Sequence, residues 1–219
     1  MGAQMQEATT KQIYDVQASF YDKTFGRLVK RRIARAIEHM RIGPADLVLD
    51  LGIGTGNSLH FYPRQARVIG IDLSAGMLAK CLQKIQELGM ENAHAVQGDA
   101  MLLPFADDVF DHVFISHVIS VVSDPYQLVR EAQRVGKPGG RIVIVNHFQS
   151  SNRLVALVEK WLCPLCTKLG WRTDLVLADL VRQTGLSIDY RYQHAPLDLW
   201  ETVVTTNDKS SLIRAKTAA

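Results

Sequence analysis

The chain has 219 residues, enough for one domain with a sizeable core, and its 47% apolar and 21% charged composition excludes a disordered chain. Three cysteines, an odd number, argue against a disulfide framework and fit a reducing cytoplasm. The formal charge of +3 is unevenly placed: residues 22–41 carry seven basic side chains against two acidic ones, which suits a local anionic partner. Met1 to Gln6 carries no apolar run of the secretory kind, and no stretch approaches the roughly 20 apolar residues of a membrane span.

Residues 1–9 are polar and expected to fray. From Lys11 to Met40 apolar residues recur at spacings of three and four, interleaved with Lys and Arg, which predicts amphipathic helix broken at Gly26 and ended by Gly43-Pro44. Leu47-Val48-Leu49-Asp50-Leu51 then predicts a buried strand running into a turn with Gly52, Gly54 and Gly56. A short helix over Asn57 to Tyr62 is cut by Pro63. Arg67 to Asp72 is a second strand, and Ser74 caps a helix that runs to about Leu88 and closes at Gly89. Ala93 to Val96 is a third strand and Phe110 to Ile119 a fourth. Pro125 to Val135 is a helix, Lys137-Pro138-Gly139-Gly140 a turn, and Arg141 to Asn146 a β-branched fifth strand. Helices are predicted from Asn152 to about Leu169 and from Asp174 to Gln183. Two closing strands, Ser187 to Gln193 and Trp200 to Thr206, precede a loose tail over 208–219. The fold class is α/β, a doubly wound, mostly parallel seven-stranded sheet. All of 1–219 is one domain: an N-terminal amphipathic segment over 1–40, a cofactor-binding core over 44–148, and a helical insertion over 151–184.

Four features fall at the C-terminal ends of successive strands: the Asp50–Gly56 turn, Asp72, Gly98-Asp99-Ala100 and Ser116-His117. Ligands bind along that rim in open α/β sheets. Asp72 is placed to accept both hydroxyls of a ribose, and Asp99 the exocyclic amine of an adenine. Gly54-Thr55-Gly56-Asn57-Ser58 contains no Lys, which excludes a P-loop, and an acid-lined rim suits a cationic cofactor better than an anionic one. S-adenosylmethionine fits, and NAD is the competitor, with a pyrophosphate that prefers a different glycine spacing.

Val48 to Gly56, Gly70 to Leu78, Gly98-Asp99-Ala100 with Leu103-Pro104-Phe105, Phe110 to Val113 and Lys137 to Gly140 together resemble the class I S-adenosylmethionine-dependent methyltransferases over residues 44–148. The resemblance implies that Asp50, Gly52, Gly54 and Gly56, with Thr55 between them, surround the methionine part of the cofactor. Asp72 would bind the ribose beside Leu73 and Met77, Asp99 and Ala100 the adenine, and Ser116 and His117 would complete the site.

The methyl acceptor is a separate question. The fourth strand ends without the Asn/Asp-Pro-Pro-Tyr motif of amine-modifying nucleic-acid methyltransferases and without the paired glutamates of protein-arginine methyltransferases, so no nucleic-acid partner is expected. An amphipathic segment with Lys and Arg beside its apolar face suits an anionic membrane surface. Tyr14, Tyr21-Asp22, Phe25-Gly26-Arg27, Ser120 to Pro125 and Val145-Asn146-His147-Phe148 resemble the bacterial phospholipid N-methyltransferases, with the ubiquinone/menaquinone C-methyltransferases next in pattern. The first resemblance implies methylation of phosphatidylethanolamine towards phosphatidylcholine at the inner face of the membrane. The alternatives are C-methylation of a quinone precursor or another small apolar acceptor, and a non-catalytic adenosine-ligand module. His147 and His117 are the candidates to take the proton of an amine. Tyr14 and Tyr21 would close over the site, Tyr21 beside the reacting nitrogen, and Arg27, Lys30 and Arg31 would meet a lipid phosphate. The insertion, with Trp161, Leu165 and Trp171, would cover the acceptor. Cys163-Pro164-Leu165-Cys166 lacks a second pair, so no metal is expected.

Overall fold

The computed structural model describes residues 29–149, 174–194 and 198–209. These form a seven-stranded sheet in the order β3-β2-β1-β4-β5-β7-β6. The strands are β1 (Leu47–Leu51), β2 (Arg67–Asp72), β3 (Ala93–Gln97), β4 (Phe110–Ser116), β5 (Gly136–Asn146), β6 (Ile188–Gln193) and β7 (Glu201–Thr206). The first five pair in parallel, whereas β7 runs antiparallel to both β5 and β6. The helices are α1 (29–40 in its described part), α2 (Ala75–Leu88), α3 (Pro125–Val135) and α4 (Leu177–Thr184).

Strand alternation divides the core in two. Leu49, Leu51, Val113, Ile115, Ile142, Ile144 and Val203 face α3 and α4, meeting Leu128, Val129, Ala132 and Leu180. Val48, Phe114, Val143, Val145 and Val204, one residue out of phase, face α1 and α2, meeting Val29, Ile33, Ile37, Met40, Leu78 and Cys81. A sheet buried on both faces needs continuous apolar runs, which is why these strands lack the usual polar alternation. Each fully buried aliphatic side chain contributes about 2 kcal/mol.

Helix ends follow local chemistry. The Ser74 hydroxyl accepts from Met77 N–H at 3.1 Å, and Gly89 closes α2 at φ 60°. Asp124 accepts from the N–H groups of Tyr126 and Gln127, both at 2.9 Å, with Pro125 in the first turn. Asp124→Ala is therefore expected to cost about 1 kcal/mol of stability, read as a lower urea midpoint with an unchanged slope.

Several expectations shift. The helix over Asn57 to Tyr62 is only a 3-10 turn, Leu59–Phe61, because Tyr62 turns to extended backbone before Pro63. Strand β4 stops at Ser116, three residues early, because His117 takes a left-handed φ of 59°. The turn over Lys137 to Gly140 lies inside β5, where a register shift against β4 absorbs it and where Gly139 N–H donates to Asn207 and Asn207 N–H to Gly140. Just before the tail Asn207 donates to the carbonyls of Gln133 and Gly136 at 2.9 and 2.8 Å; of the tail itself only Asp208 and Lys209 are described, and Lys209 pairs with Asp108. The predicted helix from Asn152, with Cys163 and Cys166, lies outside the described residues.

Candidate functional site

The parallel strands end in register, Leu51 opposite Ile71 and Ile115, so their outgoing loops share one rim. After β1 the chain turns through Gly52 at φ 70°, and a Cβ there would sit 2.6 Å from that of Val118, so only glycine lets this loop pass the segment after β4. Asp72, at the end of β2, holds the loop: Gly54 N–H donates to its Oδ2 and Ser74 N–H to its Oδ1, each at 2.9 Å. One carboxylate thus sets both the glycine loop and the start of α2.

Asp50 is 1% exposed. Its Oδ2 accepts from the Ser58 hydroxyl at 2.5 Å and the Tyr62 hydroxyl at 2.9 Å, which leaves Oδ1 to the cavity that Asp50 lines. Burial pushes the carboxyl up to about 7; the two hydroxyls oppose this and the charge of Asp72 adds to it. Asp99 accepts from Met101 N–H through Oδ1 at 2.8 Å. Ser116 lines the same cavity, and its buried Oγ has no hydrogen-bond partner among the described residues. His117 lines it too, and burial beside Arg32 pushes its imidazole down to about 3, against a smaller opposing effect of Asp198. At neutral pH His117 is therefore uncharged and a weak proton acceptor.

One cavity of about 140 Å³ brings together Asp50, Gly52, Gly54, Thr55, Asp72, Leu73, Met77, Asp99, Ala100, Ser116 and His117. Val29 and Ile33 of α1 also line it. Gly56 is not among its lining residues; a Cβ there would meet Leu59 at 2.6 Å and Cys81 at 3.0 Å, so this glycine serves packing behind the loop. Sequence reasoning missed Ser58, Tyr62 and Met101. Serine and tyrosine at eight and twelve residues past an acid form no recognisable spacing, and Tyr62 looks like one more apolar position.

Residues 198–200 link α1 to the ends of β4 and β5. Arg32 of α1 makes two bonds to Asp198, Nε to Oδ2 at 2.7 Å and Nη2 to Oδ1 at 2.6 Å. Its guanidinium also lies 4.6 Å from the Trp200 ring centre. The Trp200 ring meets His117 edge to face, with centroids 6.1 Å apart. His147, at the end of β5, donates from Nδ1 to the Leu199 carbonyl at 2.6 Å, since a carbonyl only accepts; in the neutral ring the lone pair is then on Nε2. His147 does not itself line the cavity. Lys30 and Arg31 are exposed on α1, whereas Arg32 of the same basic stretch is turned inward. Tyr14, Tyr21 and Arg27 lie outside the described residues.

The cavity wall fits the cationic adenosine cofactor that the sequence suggests. Among the described residues its lining holds three carboxylates and no Lys or Arg, and the Ser116 hydroxyl, unpartnered among those residues, gives it a polar group still to be satisfied. Known proteins agree. The family described as "Methyltransferase domain" matches residues 49–144. A phosphatidylethanolamine N-methyltransferase of Cereibacter sphaeroides is 36% identical over 171 residues, 78% of this chain and 84% of that protein. A demethylmenaquinone methyltransferase of Thermobifida fusca is 36% identical over 176 residues, 80% of this chain and 68% of that protein. Among solved structures, the [4+2]-cyclase SpnF superposes with a TM-score of 0.77 at 18% identity, over 95% of this chain and 99% of that one, a likeness of fold alone.

Proposed function

Because the chain belongs to the class I S-adenosylmethionine-dependent methyltransferases, we propose that its acceptor is phosphatidylethanolamine and its methylated intermediates, modified on nitrogen towards phosphatidylcholine. The observation that carries this is the likeness to the Cereibacter enzyme, which spans 84% of that protein and so reaches beyond the generic cofactor motifs. The rim supports it. Leu199 is 58% exposed beside His147, Leu102 is 77% exposed after β3, and Lys30 and Arg31 stand on α1, so apolar and cationic groups share the end of the sheet where the cavity lies. Such a rim suits the headgroup boundary of an anionic membrane, with the lysine and arginine near lipid phosphate. Among the described residues no helix is long and apolar enough to cross a membrane.

S-adenosylmethionine, when bound, supplies an electrophilic methyl group on a sulfonium. The chain positions the acceptor and handles its proton. An ethanolamine nitrogen is protonated at neutral pH and has no lone pair until it loses that proton. His147, with its Nδ1 fixed on the Leu199 carbonyl, is suited to take the proton at Nε2. His117 is too weakly basic for that task and shapes the wall instead. His147→Ala is expected to lower kcat about a hundredfold with little change in cofactor affinity. Radiolabelled methyl transfer to vesicles of phosphatidylethanolamine with phosphatidylglycerol tests the substrate, and the same vesicles in a flotation assay test the surface.

A demethylmenaquinol acceptor is the second reading, favoured by the equal identity of the Thermobifida enzyme. The two acceptors, offered in parallel with the same cofactor, separate them: label in the quinone and none in the lipid overturns the first.

A further inference from the structure

We infer that Tyr62 and Ser58 are positioning residues for the cofactor: by donating together to Oδ2 of Asp50 they favour the ionised form of that buried carboxyl and hold its other oxygen at the cavity, which makes cofactor affinity depend on pH through Asp50. The inference rests on the cofactor class alone and not on the lipid reading. Its basis is geometric. Asp50 is buried and lines the cavity, and both hydroxyls reach one of its oxygens. Tyr62 is itself 5% exposed in the core beside Leu59 and Cys81, so its hydroxyl is held at Asp50 by packing and not by chance at a surface.

Among the described residues, the groups around Asp50 offer no cation to stabilise its charge. Asp72 at the end of β2 carries the same sign and pushes the carboxyl up. Cys81 on α2 is a buried thiol pushed up to about 12, hence neutral. Lys84, also on α2, bonds to Asn57 Oδ1 at 3.1 Å and not to Asp50. His117 at the end of β4 is neutral, and the described part of α1 brings Val29 and Ile33 to the cavity. Among the described residues the two hydroxyls are therefore the donors that favour the ionised form in the free protein. A cationic ligand favours that form further. Affinity is thus fully present above the carboxyl's pKa in the free protein and is lost as pH falls through it.

The test is calorimetric binding of S-adenosylmethionine to the full chain, wild type against Tyr62→Phe, from pH 6 to pH 9, with thermal melts of both. The ligand's own titration cancels in the ratio of the two dissociation constants. Loss of one hydrogen bond to a charged group raises the carboxyl by about one pH unit, so the ratio is expected to be about ten at pH 6 and to shrink towards one at pH 9. A ratio that is constant across the range, which a merely structural role would give, overturns the inference, as does a ratio of one throughout. Where Tyr62→Phe does not fold, Ser58→Ala removes the other donor and is held to the same criterion.

Discussion

Asp72→Ala is expected to weaken S-adenosylmethionine binding about a hundredfold while leaving the fold intact. The carboxylate takes the Gly54 and Ser74 N–H groups, so its removal loosens the glycine loop and the start of α2 together. It also removes the acceptor that the resemblance assigns to the ribose hydroxyls. One lost charge-assisted hydrogen bond to the ligand is worth roughly 1.5–3 kcal/mol, and each 1.4 kcal/mol is tenfold in affinity. Loop disorder raises the cost further, because the cavity must then be organised at the moment of binding. Asp72→Asn retains one acceptor oxygen and is expected to lose only about tenfold. Calorimetric titration reads both. A dissociation constant for the alanine variant within threefold of wild type would exclude Asp72 from the cofactor site, and a lowered melting temperature would identify a fold defect instead.

The parts of this site that were legible in the sequence are those governed by neighbours in the chain. Arg67–Asp72 appears as a strand at its predicted ends because four apolar residues are bounded by a charge on either side. The ends of α2 were legible because Ser74 and Gly89 act within one turn of themselves. Asp72 and Asp99 stand where strands end, so a reading of strand boundaries also locates the rim. What escaped depends on contacts far apart in the chain. The early stop of β4 reflects the left-handed backbone of His117, which no residue preference demands. The lowered basicity of His117 depends on burial and on Arg32, neither of which its neighbours in the chain reveal. The carboxyl of Asp50 gains its partners from Tyr62, whose hydroxyl is invisible to a pattern of apolar spacing. The basic stretch misled most at Arg32. Periodicity places it beside an apolar face, and charge suggests solvent, but its partner Asp198 is 166 residues away.

Asp198→Ala is expected to lower stability by about 3 kcal/mol, a fall in Tm of about 9 °C for a chain of this size. The side chains of Arg32 and Asp198 are 13% and 3% exposed, so the pair is largely withdrawn from water. Removing the carboxylate takes two hydrogen bonds from a guanidinium that lies against the Trp200 ring. Breaking a buried pair from one side costs more than the pair itself is worth, so Arg32→Met combined with Asp198→Leu is expected to recover much of the loss. The double-mutant cycle therefore separates a stabilising pair from one retained for position. Position is the stronger reason here. Arg32 lies in the same turns of α1 as Val29 and Ile33, which wall the cofactor cavity, and Asp198 precedes the segment whose carbonyl at Leu199 orients His147. One ion pair thus ties the cofactor wall to the proposed proton acceptor through a loop that belongs to neither. If that is its role, the apolar double variant will recover Tm without recovering kcat, and a matched recovery of both would assign the pair to stability alone.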